Sequence, residues 1–67
     1  MIYLYVLHDP KRDLYLCYEN NKPILVSNKA KAKRFGYADA QRTSNFYSYL
    51  TVERDVILDD RIIANIE

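Results

Sequence analysis

Residues Asn28 to Phe35 read N-K-A-K-A-K-R-F, four cations in eight positions, and whether they coil or extend decides the element order. As a helix, the segment sets Ala32 and Phe35 about 60° apart, both toward a core. Lys29, Lys31, Lys33 and Arg34 then spread over the remaining circumference as a solvated surface. As a strand, it lines up Lys29, Lys31 and Lys33 on one face at roughly 6–7 Å intervals, a spacing that suits a phosphate backbone. Ala and Lys favour helix, and Ala is depleted in strands, so the residues predict a helical segment. Ser27 and Asn28 offer N-cap oxygens before it. Gly36 after it is either a C-terminal stop or the entry to a next helix.

Working outward, Ile2 to Leu7 is apolar and rich in Tyr, Val and Ile, the composition of a strand. His8-Asp9-Pro10-Lys11-Arg12-Asp13 carries turn chemistry. Leu14 to Glu19 places Leu14, Leu16 and Tyr18 on one face of a second strand, which completes a hairpin. Asn20-Asn21-Lys22-Pro23 predicts another turn, followed by a short strand at Ile24-Leu25-Val26. Downstream, Tyr37, Ala40, Ser44 and Tyr47 share one face of a helix over Tyr37–Tyr47, with Ala40 small enough for close packing and Asp39 in the first turn. Tyr49 to Leu58 reads as strand interrupted by Glu53-Arg54-Asp55. Asp59-Asp60 then predicts a tight turn, and Arg61 to Ile66 a last strand. The fold class is α+β: one domain over residues 1–67, with a small antiparallel sheet of three to five strands and one main helix on one face.

A chain of 67 residues holds one thin core and leaves little room for a deep substrate cavity. Its hydrophobic fraction of 49% is that of a folded protein. The single cysteine, Cys17, excludes an internal disulfide, and within an apolar run it reads as a small buried side chain. The lone His8 has no second His beside it, so neither a metal site nor a cofactor is expected. No apolar run approaches the ~18 residues of a membrane span. The start of the chain lacks the basic region of a signal peptide. The expectation is a cytoplasmic protein without a membrane partner.

Catalysis finds few candidates. Cys17 and His8 form the one conceivable nucleophile–base pair, but flanking Leu16 and Tyr18 argue against a reactive thiolate. Asp59 and Asp60 diverge if they share a turn. With one glycine in the chain there is no phosphate-cradling loop. The chain therefore reads as non-enzymatic. Two features point to binding. Seven tyrosines suit half-buried sheet faces and interfaces. Charge is segregated, with Lys22, Lys29, Lys31, Lys33, Arg34 and Arg42 facing Asp39 alone over residues 20–42, while Glu53, Asp55, Asp59, Asp60 and Glu67 dominate the end.

The run Ala32-Lys33-Arg34-Phe35, Gly36 and Ala40 resembles a pattern in small, mostly uncharacterised proteins encoded by phages and prophages of Gram-positive bacteria, over residues 2–47. That resemblance implies a strand–strand–helix–strand fold and carries no active site. Members with known roles often bind and inhibit a host protein, anti-CRISPR proteins included. The leading expectation is thus a small interaction module that occupies a host or phage protein's surface. Its candidate contacts are Tyr47, Tyr49, Glu53, Asp55, Asp59 and Asp60, the acidic ones mimicking phosphate in a nucleic-acid-handling or defence enzyme. The alternative is direct nucleic-acid binding through Lys29, Lys31, Lys33, Arg34 and Arg42. A homodimer paired along an exposed strand edge is a third option.

Overall fold

A computed structural model of the chain describes residues 2–58. Four strands form one antiparallel sheet in the order β3-β2-β1-β4, from β1 (Ile2–Asp9), β2 (Leu14–Glu19), β3 (Lys22–Val26) and β4 (Thr51–Leu58). One helix, α1 (Tyr37–Phe46), connects across to β4. This is the α+β plan expected. Asp59, Asp60 and the expected strand at Arg61–Ile66 lie outside the described residues.

Leu7, Leu16, Phe35, Ala40 and Leu50 form the core, with Tyr5, Leu25, Tyr47 and Val52 packed against it. Strand periodicity explains the set: Leu7 stands beside Val52, and Leu16 beside Leu25, on one face of the sheet. Ala40, fully buried, lets α1 settle on that face. Its neighbour on the expected stripe, Tyr37, is instead 57% exposed at the helix start, where its ring meets Tyr5 edge-on. Gly36 is the N-cap of α1, the second of its two expected roles, with ordinary extended backbone at φ −69.

The hairpin turns differ in kind. Asn20 and Asn21 both take left-handed backbone, φ 53 and 64, and join Glu19 to Lys22 in a two-residue connection. The turn is therefore shorter than expected, and Lys22 and Pro23 belong to β3. A two-residue hairpin closes on a hydrogen-bonded pair, so the next pair, Tyr18 with Pro23, does not exchange bonds. The missing Pro23 N–H therefore falls on the outer edge of the sheet, where it is harmless and blunts that edge.

The decisive segment is where the structure departs from expectation. Lys29–Lys31 make a single 3-10 turn, capped by the Asn28 side chain accepting from the Ala30 N–H at 3.0 Å. Beyond it Ala32 is extended, and Phe35 forms an isolated antiparallel bridge with Tyr5. β1 and β2 pair only at His8–Tyr15 and Asp9–Leu14 and then part company. Residues 33–35 enter the gap. Lys33 N–H donates to the Leu16 carbonyl at 3.0 Å, while Phe35 and Tyr5 exchange two backbone bonds of 2.9 Å each. Helix propensity lost because backbone groups of β1 and β2 needed partners, and an extended segment supplies them. Ala32 and Phe35 are still both buried, as the helical reading required, but by a different geometry.

A second departure lies in β4. Glu53-Arg54-Asp55 does not interrupt the strand; the register shifts there, between Leu4 opposite Val56 and Tyr5 opposite Arg54. Asp55 is the extra residue of a β-bulge.

Candidate functional site

Aromatic side chains gather where α1 hands over to β4. The helix closes with Tyr47 N–H donating to the Thr43 carbonyl, and a tight turn follows as Leu50 N–H donates to the Tyr47 carbonyl, both at 3.0 Å. The Ser44 hydroxyl donates to the Leu50 carbonyl at 3.1 Å, and the Leu50 side chain is anchored in the core. This anchoring leaves Phe46, Tyr47 and Tyr49 in a row on the surface. Their ring centroids are 5.3 and 6.1 Å apart, each pair edge-on. Tyr47 leans on the core, Tyr49 is 45% exposed and Phe46 is 81% exposed.

Arg12 completes the row, its guanidinium 5.2 Å from the Tyr49 ring centroid. Asp9, nearly fully buried, holds it there. One carboxylate oxygen accepts from Arg12 Nε at 2.6 Å and the other from the Lys11 and Arg12 backbone N–H groups. Burial pushes the Asp9 carboxyl upward, but the Arg12 side chain and these backbone donors outweigh it, and the group sits below its ordinary value. Asp9, expected as a turn residue, thus organises the turn from the end of β1. Arg42, one helical turn before Phe46, is exposed and pairs with Asp39 at 3.2 Å.

Sequence reasoning named Tyr47 and Tyr49 but missed Phe46 and Arg12. Phe46 had a legible signal, since its wheel position lies about 120° from Ala40, off the buried face. Arg12 had none, because its contact with Tyr49 spans the fold.

The two described acidic candidates, Glu53 and Asp55, both serve internal partners. Asp55 is almost buried, 2.7 Å from an Arg34 amino group and 3.2 Å from Lys29 Nζ. Burial raises its pKa, whereas the bonds from Lys29 and Arg34 lower it further, and the net direction is down. Glu53 is bonded to His8 at 2.6 Å. Asp59 and Asp60 lie outside the described residues.

The basic candidates are likewise dispersed. Arg34 is a bracket: besides Asp55 it donates to the Lys29 and Ala32 carbonyls at 3.0 and 2.6 Å. Phe35 joins the core, while its neighbour Arg34 pairs with Asp55, the bulge residue of β4. Lys31 is exposed. Lys33, 5.7 Å above the Phe35 ring, borders an open groove of about 440 Å³ with Tyr18, Asn21, Phe35, Asp39 and Thr43.

On the face away from α1, the His8 ring stacks on Tyr15 with centroids 4.5 Å apart. Its Nδ1 meets Glu53 and its Nε2 meets Asp13 at 2.9 Å. Both ring nitrogens are therefore taken by carboxylates. Cys17 is half-buried rather than fully buried, with Sγ directed to the Tyr18 carbonyl at 3.6 Å. Among the described residues no group of three or more His, Cys, Asp or Glu side chains is placed to hold a metal ion, and no helix is long and apolar enough to cross a membrane. Neither a protein-family model, nor a curated protein sequence, nor a solved structure matches this chain.

Proposed function

We propose that this chain is a small, non-enzymatic cytoplasmic module that docks onto another protein through the row Phe46, Tyr47, Tyr49 and Arg12. The observation that carries the reading is Phe46, an apolar ring 81% exposed, the most exposed large hydrophobic side chain among the described residues. Aromatic and arginine side chains dominate the binding energy of protein interfaces, and here the core holds Tyr47 while Asp9 holds Arg12. Rigid, pre-ordered rings lose little entropy on docking. The resemblance to small phage and prophage proteins agrees with a host protein as the partner, an inhibitory role included.

Phosphate mimicry by the acidic segment is the weaker form of this idea, since Asp55 and Glu53 already serve internal partners. Tagged chain and its Phe46→Ala variant, incubated with lysate of the natural host with and without nuclease, test the proposal. A protein retained after nuclease by the parent chain, and bound about tenfold more weakly or worse by Phe46→Ala, supports it. Equal retention by both chains refutes it. A partner that disappears with nuclease treatment transfers the function to nucleic-acid binding, with Lys31, Lys33 and Arg42 as the first residues to reverse.

A further inference from the structure

His8 links side chains from two parts of the molecule that each adjoin β1 in the sheet but do not pair with each other. Asp13 belongs to the β1–β2 turn and Glu53 to β4, and the imidazole lies between them at 2.9 and 2.6 Å. A neutral imidazole has one N–H and can donate to only one carboxylate; the other then faces a lone pair. An imidazolium donates to both. The groups facing the ring are Asp13 from the turn, Tyr15 from β2, and Thr51 and Glu53 from β4, with Thr51 donating to the His8 carbonyl. Among the described residues no Lys or Arg pairs with Asp13 or Glu53.

We propose that His8 is a proton-operated clasp on the docking site: as imidazolium it ties Asp13 to Glu53, and on losing its proton it releases Asp13 and loosens the turn that holds Arg12 over Tyr49. Asp13 is the carboxylate that leaves, because its side chain is 82% exposed against 40% for Glu53 and water takes it at little cost. The same turn is held from the helix face by Asp9 and from the other face by His8, so release removes one of two anchors. Asp13 also has left-handed backbone, φ 55, a conformation that Asp adopts more readily than most side chains. The bond from Asp13 is the largest cause of a His8 pKa above 6.5, ahead of the opposing effect of burial and the further upward pull of Glu53.

The clasp rests on the docking reading for its purpose but not for its existence. An NMR pH titration of the full chain tests it, following the His8 ring nitrogens, the Arg12 Nε–H and the Tyr49 ring protons. The expected result is a His8 midpoint above 6.5 that Arg12 and Tyr49 share. In Asp13→Gly, which keeps the left-handed backbone without the carboxylate, Arg12 and Tyr49 lose that midpoint while the fold persists. Arg12 and Tyr49 signals that ignore the His8 midpoint, or an unchanged titration in Asp13→Gly, overturn the clasp. Partner retention compared below and above the midpoint should fall on the alkaline side. A clasp seen by NMR with pH-independent retention overturns its regulatory role. If Phe46→Ala leaves retention unchanged, the docking reading fails separately.

Discussion

At the scale of single residues, Asp55 of β4 is paired with two cations from a distant stretch of the chain. The bulge in β4 turns its carboxylate toward Arg34 and Lys29, so the two charge clusters of the sequence meet through it. The charge segregation therefore serves folding before it serves any partner. Asp55→Asn keeps the shape and removes the charge, leaving Arg34, itself only 27% exposed, without its counter-ion. The expected cost is about 2 kcal/mol, the range of a hydrogen bond to a charged group, read as a lower urea midpoint with unchanged slope. Phe46→Ala gives the contrasting case. Its ring is largely in water, so stability should stay within about 0.5 kcal/mol of the parent while docking is lost.

Among the elements, the hairpins and the inserted segment set the sheet. The β2–β3 turn needs left-handed backbone at both Asn20 and Asn21, which most side chains resist. Asn21→Ala is expected to destabilise by about 1 kcal/mol, seen in urea unfolding, whereas Asn21→Gly should be neutral or mildly stabilising. The hairpins were legible because turn chemistry is local, and so was α1, whose stripe runs through Ala40. The 28–35 segment was not. Local propensity favours helix there, yet Leu16 and Tyr5 have no ladder partner on the sides where β2 and β1 face each other, and supplying those bonds outweighed a preference of tenths of a kcal/mol per residue. The aromatic row was half legible: Tyr47 and Tyr49 stood out by type, but their exposure depends on how Leu50 is anchored.

For the whole molecule, the ionisable groups with shifted pKa values set opposite limits. Asp9 and Asp55 are depressed below 3.8, so their stabilisation is present above that value and is lost as pH falls through their folded-state values. His8 is raised above 6.5, so its stabilisation is full below 6.5 and fades as pH rises through its folded-state value. Thermal melts followed by circular dichroism should show greatest stability between 3.8 and 6.5, with a decline on both sides. In His8→Gln the alkaline decline should vanish and the acid one remain. A parent chain with a flat profile across neutral pH would contradict the His8 geometry.

Local sequence was enough for the fold class, the positions of the four described strands and the main helix to within a few residues, and the small face at Ala40. These depend on periodicity and turn chemistry, which act over a few residues and are written in neighbouring positions. It took the folded chain to settle that residues 33–35 would insert between β1 and β2, that Asp55 would bind Arg34 and Lys29, and that Arg12 would meet Tyr49. Those outcomes rest on backbone groups and charges brought together from distant positions, and a partner's need for a hydrogen bond or a counter-ion is invisible until the chain has folded around it.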